Sequence, residues 1–125
     1  MKVSDCMTPE PTCLGPDDTL TAAKALMDAG DFRAVPVIKN DHLVGIVTDR
    51  DLRKYWQKPE GTKVGAIMSK NTICISPDDS VNEAVRMLLS HKIGGLPVIR
   101  KHKLVGIITT TDILKAVLGF RELDK

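Results

Sequence analysis

Very little in this chain points to chemistry of its own. Cys6, Cys13 and Cys74 are odd in number and widely spaced, which fits neither a disulfide framework nor paired metal ligands. Cys13 and Cys74 sit beside β-type residues and read as small, partly buried apolar groups. The three histidines, His42, His91 and His102, are not spaced with one another or with a cysteine as zinc ligands are, and none has an evident nucleophile beside it. No GxGxxG follows a strand and no GxxxxGK[ST] occurs, so the two best-known phosphate loops are missing. These absences argue against an enzyme.

Charge of one sign is missing too. The formal net charge is +2, with 27% charged residues, 42% hydrophobic residues and four aromatics in 125 positions. Neither a disordered chain nor a nucleic-acid footprint is implied. No apolar run approaches the ~20 residues that cross a bilayer, and the polar start at Met1–Asp5 is not a signal peptide. A cytoplasmic protein with no nucleic-acid and no membrane partner is therefore expected. The length suits one domain, and a half of about 60 residues would bury too little surface alone, so the halves are expected to share one core.

What the chain does have is a repeat. Leu43–Asp51, LVGIVTDRD, returns as Leu104–Asp112, LVGIITTTD, displaced by 61 positions without a gap. Met7 matches Met68 at this offset, Pro16-Asp17-Asp18 matches Pro77-Asp78-Asp79, and Pro36–Ile38 matches Pro97–Ile99. Two units follow, residues 1–62 with a linker at 57–62 and residues 63–125 with a short tail from Gly119.

Each unit reads β-α-β-β-α after a helical entry turn (Val3–Met7, Val64–Met68). A short strand is predicted at Thr12–Leu14 and again at Ile73–Ile75. In the first unit Asp17-Asp18-Thr19 opens a helix whose apolar stripe is Leu20, Ala23, Leu26 and Met27, with Gly30 as its stop. In the second, Ser80 and Glu83 form a capping box before a helix reaching His91. Strands at Ala34–Ile38 and Leu43–Thr48 flank four polar residues and should pair as a hairpin. Pro36 confines the first of them to an edge or to an irregularity at its start. Leu96–Arg100 and Leu104–Thr109 repeat the arrangement, and helices follow at Asp49–Trp56 and Thr110–Leu118. The fold class is thus α/β (α+β), two pseudo-two-fold related units of small mixed sheets packed with helices, with related clefts between the sheets.

In both copies a strand ends in a Thr with an Asp three residues on. Thr48 with Asp51, and Thr109 with Asp112, place a hydroxyl and a carboxylate past a strand end, where ligands of open α/β folds bind and an Asp can accept ribose hydroxyls. The same residues would also serve as helix caps. Gly94 and Gly95 either let a ligand approach the backbone or end the preceding helix. Arg50 and Arg33 could each meet a phosphate. The second copy has Thr111 and Gly94 in their places, so the two clefts should differ.

The Met-containing entry turn, the Pro-Asp-Asp-[Ser/Thr] helix start, the Pro-Val-Ile strand and the GI[VI]TxxD ending, present twice over Val3–Leu118, closely resemble a tandem pair of cystathionine-β-synthase (CBS) domains, a Bateman module. The resemblance implies a regulatory ligand-binding module that is not a catalyst, that requires no cofactor, that binds an adenosine-type ligand (AMP, ADP, ATP or S-adenosylmethionine), and that commonly forms a homodimer. It implies that Asp51 and Asp112 hold ribose hydroxyls and that Thr48 and Thr109 contact ribose or α-phosphate. Ala34, Val35, Gly95 and Leu96 would then line the adenine pocket, with Arg50 on phosphates and Arg33 on those of the same or the opposite cleft. No fused effector fits within these residues, so the expected effector is a separate polypeptide. The alternative is a purely structural or dimerisation module without a physiological ligand. Trp56 and Val117 are the expected interface residues.

Overall fold

The computed structural model describes residues 1–30 and 32–119. Its elements, in chain order, are α1 (Val3–Cys6), β1 (Thr8–Pro9), α2 (Leu20–Gly30), β2 (Ala34–Lys39), β3 (His42–Thr48), α3 (Asp49–Lys54), α4 (Val64–Ile67), α5 (Val81–His91), β4 (Gly95–Arg100), β5 (Lys103–Thr109) and α6 (Thr110–Val117). They gather into two compact units, one of Pro11–Thr72 and one of Met1–Glu10 with residues from Ile73 on. The sequence repeats and the spatial units therefore differ in one respect, which is that the entry turns are exchanged.

That exchange follows from the Pro-Asp-Asp turns. Asp18 Oδ2 accepts from Gly15 N at 2.8 Å and Asp79 Oδ2 from Ser76 N at 3.0 Å, which holds each turn closed with its carbonyls outward. Asp18 O and Pro16 O then accept from Val64 N and Gly65 N at 2.7 and 2.8 Å. Asp79 O and Pro77 O accept from Val3 N and Ser4 N at 2.8 and 3.0 Å. Val64 and Val3 enter apolar clusters and are fully buried. The single shared core expected from chain length is replaced by two clusters, one built on Leu20, Val37 and Val64 and the other on Val3, Leu96 and Ile108. A borrowed turn lets a unit of about 60 residues close its own core.

The two hairpins form as expected. β2 pairs with β3 and β4 with β5, both antiparallel, and a register shift falls after Val37 and after Val98. Each proline strand is an edge, but the irregularity lies past the proline and not at the strand's start. The turns are of the left-handed hairpin kind, with φ of 52° and 64° at Asn40-Asp41 and 51° and 68° at Lys101-His102. The strands expected at Thr12–Leu14 and Ile73–Ile75 reduce to single parallel bridges, Leu14 to Val37 and Ile75 to Val98. At Thr12–Leu14 the preceding Pro11 and the turn at Gly15 leave too few backbone donors for a ladder. Cys13 is half-buried, and burial pushes its thiol up, whereas Cys74 is exposed. Cys74 thus does not acquire the burial expected of it.

β1 was not anticipated. Thr8 and Pro9 pair antiparallel with Ile107 and Gly106, which makes β1-β5-β4 a three-stranded sheet. Ser69, the repeat counterpart of Thr8, forms only a bridge with Ile46.

Caps also differ in detail from the expected ones. Ser80 Oγ accepts from Glu83 N at 3.0 Å, but Glu83 turns to Arg86 at 2.9 Å, so the reciprocal half of that box is not made. α5 ends in Lys92, which sits in the left-handed region with φ of 54° and ψ of 46°. A side chain in that region costs ~1 kcal/mol, which glycine avoids. Lys92→Gly should therefore raise stability by about 0.5–1 kcal/mol, read as a midpoint shift in urea, and a lowered midpoint would contradict this account.

Candidate functional site

The end of β3 and the start of α3 are built by one reciprocal capping box. Thr48 accepts from Asp51 N through Oγ1 at 3.2 Å, and Asp51 accepts from Thr48 N through Oδ2 at 2.9 Å. Ala34 lies directly across the ladder from Thr48, and Arg33 O accepts from Asp49 N at 2.9 Å. Sequence neighbours 33–34 and 48–51 are thereby brought to one sheet end. Both Thr48 and Asp51 are half-buried. Asp51 Oδ1 has no hydrogen-bond partner among the described residues. Arg50 is exposed beside it.

The second copy repeats this frame. Thr109 and Asp112 make the same box at 2.9 and 3.1 Å, Gly95 lies across from Thr109, and Gly94 O accepts from Thr110 N at 3.0 Å. One contact is new. Thr8 Oγ1 donates to Asp112 Oδ1 at 3.2 Å, so both carboxylate oxygens of Asp112 are engaged, whereas one of Asp51 is not. Sequence reasoning missed Thr8, although the hydroxyl pair Thr8 and Ser69 at the repeat offset could have indicated it.

Neither Gly94 nor Gly95, the first residue of β4, is needed to stop α5 or to make room for a neighbour. α5 already ends at Lys92, a Cβ on Gly94 would meet nothing within 4 Å, and one on Gly95 would meet Thr109 Cγ2 at an ordinary 3.5 Å. The helix-stop alternative is thus not what they serve here. Val35 and Leu96 are 1% and 0% exposed, so their side chains belong to the cores and only their backbone could meet a ligand.

Arg33 goes elsewhere. It lines a pocket of about 710 Å³ on the helical side, together with Lys24, Asp28, Asp49, Arg53 and Trp56. None of Ala34, Thr48, Arg50 or Asp51 lines that pocket. Its charged lining includes two ion pairs, each within one helix, Lys24–Asp28 at 2.8 Å on α2 and Asp49–Arg53 at 3.3 Å on α3. Trp56 is half-buried on the core, while Val117 is 77% exposed. Among the described residues no cluster of three or more His, Cys, Asp or Glu could hold a metal, and no helix is long and apolar enough to cross a membrane.

This duplicated frame, two antiparallel hairpins that each end in a capped helix, is that of a CBS domain pair. The CBS domain model matches residues 3–58 and 64–119, and the chain belongs to the CBS domain family. It is similar to the solved structure of AcuB from Vibrio cholerae, at 37% identity and a TM-score of 0.87 over 99% of this chain and 95% of that one. It is also similar to CBSX2, whose structure is a complex with AMP, at 30% identity and a TM-score of 0.83 over 96% and 98%. Among curated proteins it is 33% identical to inosine-5′-monophosphate dehydrogenase of Methanocaldococcus jannaschii over 91% of this chain, which is only 23% of that enzyme.

Proposed function

We propose that the chain is a regulatory sensor of an adenosine-type ligand, AMP, ADP, ATP or S-adenosylmethionine. It binds at the strand ends carrying Thr48–Asp51 and Thr109–Asp112, without catalysis and with no required cofactor. The observation that carries this reading is Asp51, a half-buried carboxylate with one oxygen uncommitted and Arg50 adjacent, which suits a ribose diol beside a phosphate. The AMP complex of CBSX2 supports the ligand class. Ala34 and Gly95, with the backbone of Val35 and Leu96, offer the base a flat backbone edge, and Gly94 leaves room before β4. Arg33 serves the helical face.

The two motifs, residues 1–62 and 63–125, act as one module in this reading. The protein works in the cytoplasm as a homodimer, and a separate polypeptide reads its occupancy. A ligand shifts such an equilibrium only as far as its affinities for the two states differ. A second reading also has an observation behind it: Thr48, Asp51, Thr109 and Asp112 form complete capping boxes, which a purely structural module would need as well.

A thermal-shift scan against AMP, ADP, ATP, S-adenosylmethionine and GTP separates the two. At 100 times the dissociation constant a ligand adds about 2.7 kcal/mol, roughly 10 °C for a chain of this size. A selective rise with one adenosine compound is expected. No rise with any of them at millimolar concentration transfers the assignment to the structural module.

A further inference from the structure

The pocket of about 710 Å³ beside α2 and α3 lies within the unit of Pro11–Thr72 and has a size that suits one small molecule. Its floor is apolar, because Met27 and Leu52 are 5% and 4% exposed and belong to the core of that unit. Two aromatic side chains stand on this floor: Trp56, half-buried against the same core, and Phe32, 38% exposed. The whole chain has four aromatic residues, so half of them line this one cavity.

Phe32 reaches the pocket through a local device. Its N–H donates to Met27 O at 2.9 Å, which turns the chain back at the end of α2. The ring then occupies the place that a Cβ on Gly30 would take, so glycine at position 30 seats the ring. The fold itself does not require this set. At the offset of 61 residues Gly30, Phe32, Arg33 and Trp56 become His91, Ile93, Gly94 and Val117, yet the second hairpin and its helices form in the same order.

Charge selects the occupant. Lys24–Asp28 and Asp49–Arg53 each close within one helix. The guanidinium of Arg33 is the one cation of the lining without an ion-pair partner among the described residues. The cavity is thus an aromatic slot with a single uncompensated positive charge. A guanidinium meets a carboxylate through two parallel hydrogen bonds, and aromatic rings pair offset or edge to face. A ligand cation would add to the charge of Arg33, and a dianion would bring one charge more than the lining neutralises.

We propose that this pocket is a second ligand site, for a small aromatic carboxylate whose ring packs against Phe32 and Trp56 and whose carboxylate pairs with Arg33. The site is separate from the strand end that carries Thr48 and Asp51, neither of which lines it, and it holds whether or not an adenosine-type ligand is bound there.

Titration of the ¹⁵N-labelled full chain with 2-naphthoate tests it. Trp56 is the only tryptophan, so the single indole N–H resonance reports from the pocket. Naphthoate should move that resonance saturably, whereas cyclohexanecarboxylate and 2-naphthylmethylammonium should bind more weakly by about tenfold or more. Arg33 is exposed, so Arg33→Gln should keep the wild-type melting curve and lose about tenfold or more in naphthoate affinity. Gly30→Ala should displace the Phe32 ring and weaken naphthoate as well, without lowering the melting temperature, because alanine suits a helix better than glycine. An indole resonance that stays in place at millimolar naphthoate overturns the site. Equal binding of the ammonium compound overturns the charge selection, and equal binding of cyclohexanecarboxylate overturns the aromatic contact. Unchanged affinity in Arg33→Gln removes Arg33 as the anchor. Displacement of naphthoate by AMP would put the probe at the strand ends and overturn a second site.

Discussion

Asp51→Ala should lower affinity for the adenosine ligand about 100-fold or more, whereas Asp112→Ala should cost clearly less. The difference comes from what each carboxylate already holds. Asp51 spends Oδ2 on Thr48 N, and its Oδ1 has no partner among the described residues. Asp112 has Oδ2 on Thr109 N and Oδ1 on the Thr8 hydroxyl, which a ribose would have to displace. Two charge-assisted hydrogen bonds at ~1.5 kcal/mol or more each give ~3 kcal/mol, above two orders of magnitude in a dissociation constant. Loss of the reciprocal cap costs only about 1 kcal/mol of stability.

Titration calorimetry on Asp51→Ala and Asp51→Asn separates binding from capping. The amide of Asp51→Asn can still accept from Thr48 N, so it should keep the wild-type melting temperature while losing at least tenfold in affinity. Unchanged affinity in both variants would remove Asp51 from the ligand site and favour the capping role.

The fold was legible wherever one residue type had a local duty. Pro36 and Pro97 announced edge strands, the short polar turns announced hairpins, and Thr48 and Thr109 announced helix starts; each depends on neighbours within four positions. The entry turns were legible as turns but not as to which unit would hold them. That choice is made by hydrogen bonds from Val3 and Val64 to carbonyls 76 and 46 residues away, and nothing local encodes it. β1 was missed for the same reason, since a two-residue strand containing Pro9 has no period to read. At the candidate site, the Thr–Asp pairs and the inequality of the two copies were visible in the letters. The roles of Thr8 and Arg33 were not, because both depend on a sheet or helix face formed by distant sequence.

Gly106→Ala tests whether the exchanged entry segment holds the structure as described. A Cβ on Gly106 would stand 2.6 Å from Met7 Sδ and 2.9 Å from Thr8 O, and one on Gly45 would stand 2.5 Å from Met68 Sδ and 2.9 Å from Ser69 O. The thioether of Met7 can swing aside. The carbonyl of Thr8 cannot, because it belongs to the strand paired with Ile107 and Gly106. β1 must lift from β5, which weakens the Glu10 N to Val105 O bond and draws the Thr8 hydroxyl from Asp112. Overpacking of this kind costs about 1–3 kcal/mol, or roughly 4 °C in melting temperature per kcal/mol at this chain length. Gly94→Ala is the matched control. Its Cβ would enter open space, and its stability should stay within ~0.5 kcal/mol of wild type. Equal melting temperatures for Gly106→Ala and Gly94→Ala would mean that β1 has room to accept a Cβ at Gly106 without leaving β5. A drop confined to Gly106→Ala, together with a gain in ligand affinity at the Asp112 site, would tie the Thr8 hydroxyl to the inequality of the two sites.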